Sequence, residues 1–247
     1  MLPAPSPVRV VARRGPPYAS AVPQTLPLFP LGTVLLPGQV LPLHVFEERY
    51  REMVRDLLDL PADQPRRFGV VAIRAGTEVG AGAATSLYDV GCAAELRHVE
   101  AHPDGRFTVL TVGTERFALR RVDSGLRPYL VGHVDPLPEA VGDDDGEVAH
   151  LAEAARAVFG AYRNVLARAS SGAPDVPPLP ADPLALSYAV TAGTLLELDE
   201  TQSLLAAPGA AARLRRAVRL IERETALLRL LPALPSPGLT RAPACPN

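Results

Sequence analysis

Proline sets the frame of this sequence. Eight of its 27 prolines fall in residues 1–30, five in 170–183 and five in 232–247. Proline lacks a backbone N–H and fixes φ, so a dense cluster does not thread through a helix or a central strand. The clusters therefore predict disordered tails at 1–24 and 232–247 and a linker near 170–183. The stretch Asp135 to Gly146, with Asp143-Asp144-Asp145, reads as a second polar connection. Two ordered domains remain, at 25–138 and 139–231.

The first domain reads mainly as strands. Phe68 to Arg74 is a short apolar run rich in β-formers. Leu87 to Ala101 and Arg106 to Val122 are two longer strand-like runs joined by His102-Pro-Asp-Gly105, and Tyr129 to Val134 reads as another. Pro-Asp-Gly between apolar runs predicts a tight hairpin, because glycine takes the positive φ such a turn needs. One helix interrupts the strands, from Glu47 to Leu60. Its residues Tyr50, Met53, Val54, Leu57 and Leu58 recur at helical spacing and form one stripe for a core. A segment of this size, without long exposed edges, suits a small closed or nearly closed β-barrel.

The second domain reads as helices. Val148, Leu151, Ala155, Val158, Tyr162 and Val165 alternate three- and four-residue steps. Asp182-Pro183 is a helix entry, with Asp capping and Pro at the first helical position. Asp199 and Gln202 have capping-box spacing. A last helix, Ala210 to Leu231, sets Leu214, Val218, Ile221 and Leu228 on one face and Arg213, Arg216, Arg219 and Arg223 on the other. Such helices must pack on a partner to persist in water. The expected class is α+β, a β-barrel followed by a helical bundle.

The chain has no lysine; all 25 of its basic residues are arginine. That removes the P-loop lysine, the Schiff-base lysine and the Ser–Lys dyad from its chemistry. Cys92 and Cys245 make no disulfide framework, so a reducing compartment is expected. The net charge of −2 leaves no electrostatic footprint for nucleic acid or an acidic membrane. No apolar run reaches the ~18 residues of a membrane helix, and no stretch before Gln24 has signal-peptide form. The expected location is cytoplasmic.

The segment from Leu26 through Pro-Leu-Phe-Pro-Leu-Gly and Leu-Pro-Leu-His-Val-Phe-Glu-Glu-Arg-Tyr to Val54 resembles the start of the Lon protease N-terminal substrate-binding domain. Phe68-Gly-Val-Val-Ala-Ile73, Val90-Gly91, Gly105-Arg106-Phe, Gly113-Thr-Glu-Arg-Phe117, Pro128-Tyr-Leu130, Asp199 to Leu205 and Arg213-Leu214 follow in the family's order. The resemblance spans about residues 25–231 and is greatest to stand-alone bacterial proteins carrying this domain. It implies a PUA-like β-barrel followed by helices, acting as a module that engages protein substrates. It also implies what is missing: the ATPase and protease of Lon each need a lysine, and the residues after 231 are too few to hold either domain.

Other chemical signals have plainer readings. Cys92, His98 and His102 are evenly spaced and would share one face of an uninterrupted strand, where they could begin a zinc site; a buried structural Cys is the favoured account. Gly80-Ala-Gly82-Ala-Ala-Thr85 begins like a dinucleotide loop but leads into a strand, not the helix that phosphate capture needs. Asp143 to Gly146 lacks the carboxylates of a calcium loop and reads as a linker into a helix. No Gly-x-Ser-x-Gly or His-Glu-x-x-His occurs, although Ser86, Ser187 and the five histidines leave a spatial triad open. No catalytic residue, metal or cofactor is assigned.

These readings converge on a non-enzymatic module that captures unfolded or partly folded protein segments in a groove between barrel and helices. The candidate contacts are Phe29, Leu35, Leu36, His44, Phe46, Glu47 and Tyr50. Around His44 to Arg51, a helix N-terminus that gathers Glu47 or Glu48 is the structural alternative. RNA binding is a second possibility, since PUA-like barrels occur in RNA-interacting proteins. Residues 26–138 carry 12 Arg against 14 acidic residues, so it would need a local cluster from Arg66, Arg67, Arg120, Arg121 and Arg127. A third possibility is a regulator that docks on full-length Lon through the last helix, which carries a net +4 over 210–231.

Overall fold

The computed structural model describes residues 24–76, 84–125, 127–142, 144–169 and 178–230. The expected tails before Gln24 and after Leu230, the Gly80–Gly82 loop and most of the proline-rich linker lie outside the described residues. The chain is α+β and divides into two compact units between Pro138 and Glu139.

The first unit contains β1 (Gln24–Leu31), β2 (Val40–Val45), α1 (Glu48–Leu58), β3 (Arg67–Gly76), β4 (Ala84–Leu87), β5 (Val90–Ala101), β6 (Phe107–Asp123) and β7 (Val131–Pro136). Hydrogen bonding runs β1-β7-β6-β5-β3, and β3 pairs back to β1, so the pairings form a closed circuit. β4 extends β3, and β2 lies along the first half of β6. The run read as one strand from Leu87 is divided: β4 ends there and β5 starts at Val90, with the Tyr88 N–H donating to Ala72 O at 3.0 Å.

β1 holds two prolines because it changes partner midway. Gln24 to Pro27 pair antiparallel with β7, and Leu28 to Leu31 pair parallel with β3. Each proline thus sits in a half-strand paired on one side, where a missing donor is tolerated. β1 and β3 bury both faces. Phe29, Phe68 and Val70 enter one core with α1; Leu28, Val71 and Ile73 enter another with Phe117, Leu119 and Val134. Burial on two sides explains why Phe68 to Ile73 reads as a continuous apolar run. In the second core, Phe117 is in register with Gly91, and a Cβ at Gly91 would collide with the Phe117 ring and stand 2.7 Å from Val70 O.

The hairpin between β5 and β6 forms at the expected turn. His102 and Arg106 close it by a 2.9 Å backbone bond, and Gly105 sits at φ 81°. Asp104 accepts from the backbone and the Nε of Arg106. That guanidinium holds the Asp104 carboxyl down at about 2.

α1 presents the expected stripe, with Tyr50, Met53, Val54 and Leu57 buried and Tyr50 stacked on Phe29 at 4.1 Å between ring centroids. Arg51 ties the start of α1 to the hairpin by donating from Nε to Gly105 O at 2.6 Å. Farther along, Asp56 accepts from Tyr129 Oη at 2.5 Å and from Arg127 at 3.0 Å.

The second unit contains α2 (Asp145–Ala169), α3 (Pro183–Ala192), α4 (Leu198–Leu205) and α5 (Ala210–Leu230). The Asp144 carboxylate accepts from the N–H groups of Gly146 and Glu147, so the acidic connection starts a helix as expected. Asp182 caps α3 by accepting from the Ala185 N–H at 2.7 Å. The expected box at Asp199 is displaced by two residues: Glu197 precedes α4, and the Glu200 carboxylate accepts from the Glu197 N–H. Both acids at that point suit the positive helix end.

Arg213 corrects the expected polar face of α5. It is completely buried. Its Nε donates to Leu204 O at 2.9 Å, an Nη donates to Ser187 Oγ at 2.9 Å, and its guanidinium lies 3.8 Å from the Tyr188 ring centroid. Glu139 stands 3.6 Å from the second Nη and accepts from Tyr188 Oη. The apolar core of this unit comprises Ala155, Phe159, Tyr162, Leu186, Val190, Leu204, Leu214 and Ile221.

Candidate functional site

The sequence around His44 to Arg51 folds as the end of β2, a short corner and the first turn of α1. Of the seven expected contacts, Phe29, Leu35, Leu36 and Tyr50 are core residues, each no more than 3% exposed. Glu47 is mostly covered and pairs with Arg49 at 2.9 Å. His44 is half-buried, and Phe46 leaves its ring 39% exposed. The structure therefore brings His44 and Phe46 to the surface and buries the other apolar candidates, with Phe29, Leu35 and Tyr50 in the core that receives the inward side chains of β2.

What surrounds them is an open sheet face. Along β2, Leu41, Leu43 and Val45 point inward while Val40, Pro42 and His44 point outward. β6 alternates in register: Val40 faces Val112, Pro42 faces Leu110, and His44 faces Thr108. Val40 is 54% and Leu110 39% exposed; with Phe46 they are large apolar groups in open contact with solvent. The next strand places His98 opposite Leu110 and Glu100 opposite Thr108. His102 bonds Thr108 Oγ1 at 2.8 Å, and its ring lies 6.0 Å from that of His44, which in turn lies 6.5 Å from Phe46. The result is an apolar strip edged by imidazoles.

Most charges near this strip are paired, while Glu100 stands exposed beside Thr108. Arg106 pairs with Asp104 at 2.5 Å, Arg51 with Glu48 at 2.7 Å and Arg97 with Glu95 at 3.2 Å. Arg55 holds the Glu48 carboxyl below its usual range. The strip thus offers apolar area without a dominant charge of either sign.

The outer edge of β2 has no strand partner among the described residues. Gly113 N–H donates to Gln39 O at 2.9 Å, which fixes the alternation: odd residues of β2 bond to β6. Val40, Pro42 and His44 therefore turn their backbones to the open edge, and Pro42 removes the central donor there. A proline at that place blunts strand addition.

Val40, Pro42, Leu110 and Val112 were missed by sequence reading for a simple reason. Val40 to Val45 is apolar at nearly every position, so its exposed parity is invisible until the register with β6 is known.

The other chemical signals are dispersed. Cys92 is fully buried with Sγ against Ala93 O, and bulges between Cys92 and Ala94 and between Leu96 and His98 break the even spacing with His98 and His102. Among the described residues no three His, Cys, Asp or Glu side chains are placed to hold a metal. Ser187 donates its hydroxyl proton to Leu184 O and accepts from Arg213. Neither it nor Ser86 bonds an imidazole among the described residues. His133 pairs with Asp123 at 2.7 Å beside Arg121.

The five arginines considered for RNA are also engaged. Arg67 bonds Glu115, Arg120 bonds Asp135, Arg121 bonds Asp123 and Arg127 bonds Asp56, while Arg66 donates to Leu58 O. No helix among the described residues is long and apolar enough to cross a membrane.

The crystal structure of a Lon N-terminal domain protein from Xanthomonas campestris has the same fold. It superposes with a TM-score of 0.56 at 24% identity, covering 85% of this chain and 99% of that one. The N-terminal domain of the Mycobacterium avium complex Lon protease also gives 0.56, at 17% identity, over 82% of this chain and 98% of that one. In sequence the chain is 29% identical over 224 residues to Lon protease 2 of Sorangium cellulosum and 24% identical over 210 residues to Lon protease 2 of Myxococcus xanthus. These matches cover 88% and 85% of the chain but only 26% and 25% of the relatives, so it spans about a quarter of their length. The family model for the ATP-dependent protease La (LON) substrate-binding domain matches residues 25–223. The chain belongs to the Lon substrate-binding domain family.

Proposed function

We propose that this chain is a substrate-recognition module that captures apolar, partly unfolded protein segments and performs neither ATP hydrolysis nor peptide cleavage. The observation that carries the reading is the solvent-facing strip of Val40, Pro42, Leu110 and Phe46. Folded proteins hide such residues, and an unfolded segment exposes their complements. Apolar contact contributes roughly 25 cal/mol per Å² removed from water, so a strip of this kind gives weak, sequence-tolerant binding. Phe29, Leu35 and Tyr50 support it from the core behind β2, Leu36 is buried, and His44 and Glu47 flank it.

In the same reading the closed circuit of strands is a PUA-like barrel at 25–138, the helices of 139–231 form a bundle, and the protein works in the cytoplasm. The absence of lysine supports the non-enzymatic assignment, because neither Lon activity proceeds without one. RNA is disfavoured as a partner: phosphate binding would have to displace carboxylates from Arg67, Arg120, Arg121 and Arg127.

The test is fluorescence anisotropy with a labelled reduced and carboxymethylated protein and with the same protein folded. The reading expects binding of the unfolded form alone, little weakened by salt, and no turnover of ATP or peptide. Equal indifference to both forms, or salt-sensitive binding of RNA, contradicts it.

A further inference from the structure

The buried residues of α5 place its core side along Ala210, Arg213, Leu214, Ala217, Ile221 and Thr225. The opposite side carries a different pattern. Arg216, Arg219, Arg223, Leu227 and Leu230 follow one another by three or four residues and form a single exposed stripe. Leu227 is 46% and Leu230 78% exposed. The stripe is basic over its first two turns and apolar in its last turn.

Its charges are unevenly satisfied. Arg223 is held by Glu200 and Glu224, and neighbouring Arg215 by Glu147. Arg216 and Arg219 make no ion pair with a described residue, although Arg216 lies near enough to Glu200 to help lower its carboxyl. Two guanidinium groups outside any ion pair, followed by the paired Arg223, lead into two exposed leucines on one helix face.

We propose that this stripe docks an amphipathic helix of another protein, acidic where it meets Arg216 and Arg219 and apolar where it meets Leu227 and Leu230. Charge complementarity selects the occupant. A second copy of α5 laid in parallel would set arginine against arginine, which disfavours self-pairing. A lipid surface calls for a longer basic cluster than two unpaired arginines. Helix-in-groove recognition reads apolar anchors at three- and four-residue steps, the spacing present here. The proposal is independent of the β2–β6 face, since it uses none of its residues.

The experiment uses the full chain and two designed helical peptides, identical except that one carries Glu and the other Lys at the two positions meant to face Arg216 and Arg219, with Leu about two and three turns beyond. The acidic peptide should bind, at least about tenfold more tightly than the basic one, and more weakly in high salt. The charge-reversed chain R216E/R219E should exchange the preference, and L227S should weaken both pairings. In each variant, binding of unfolded protein should be unchanged, which separates failure here from failure of the β2–β6 face. Equal binding of the two peptides, binding of neither, concentration-dependent self-association abolished by L227S, or capture by anionic vesicles in place of the acidic peptide would each overturn the proposal.

Discussion

The guanidinium of Arg213 lies against the face of Tyr188, 3.8 Å from its ring centroid, with no exposure to solvent. The same guanidinium binds Ser187 Oγ and Leu204 O, so one α5 side chain links α3, the end of α4 and Glu139. A buried charge is tolerated only when its donors are used, and a planar fork over an aromatic ring uses them well. Arg213→Ala should destabilise the helical unit by about 2–5 kcal/mol, because it opens a cavity in the core and leaves Leu204 O and Ser187 Oγ without this donor. Arg213→Lys should recover little of this, since an ammonium neither stacks nor spans the two acceptors. Urea unfolding followed by far-UV circular dichroism checks both; a lysine variant as stable as the parent would contradict the assigned role.

Tyr129 should govern part of the alkaline behaviour. Burial and its hydrogen bond to Asp56 push its phenol up to about 12. The folded state therefore holds this proton more tightly than the unfolded chain, whose tyrosines release theirs near pH 10. The resulting stability is complete below about pH 10 and is lost as pH rises from there towards 12. With no lysine in the chain, few other groups titrate in that window. Difference absorbance near 295 nm between the parent and Tyr129→Phe should isolate one phenol with a midpoint near 12. A midpoint near 10 in the folded protein would contradict the arrangement.

Pro42 should protect the open edge of β2. Replacing it by threonine restores the missing donor between the outward backbones of Val40 and His44 and supplies a strand-favouring side chain. Pro42→Thr should self-associate with rising concentration, seen by light scattering, where the parent does not. Equal behaviour of the two would show that the edge is closed by other means.

The sequence revealed the elements whose signals are local. The stripe of α1, the Pro103-Asp104-Gly105 turn and the Asp182 cap depend on neighbours within a few residues, and each forms as expected. The elements that escaped notice depend on distant pairing. β1 tolerates Pro27 and Pro30 only because its partner changes at Leu28. Arg213 belongs to the core only because Tyr188, Ser187 and Leu204 converge on it from other helices. The even spacing of Cys92, His98 and His102 loses its meaning at two bulges, which no local residue pattern announces. The exposed strip was half legible: His44 and Phe46 lay in the distinctive segment, while Val40 and Leu110 needed the register.

The measurement that bears most directly on the proposed recognition face is the affinity for reduced, carboxymethylated protein of a Val40→Asp/Leu110→Asp chain. Both positions are exposed, so thermal unfolding should stay close to that of the parent. The account predicts at least about a tenfold loss of binding, equivalent to about 1.4 kcal/mol, with the Arg216→Glu/Arg219→Glu chain unaffected. Undiminished binding by the Val40/Leu110 variant, with its fold intact, would contradict it.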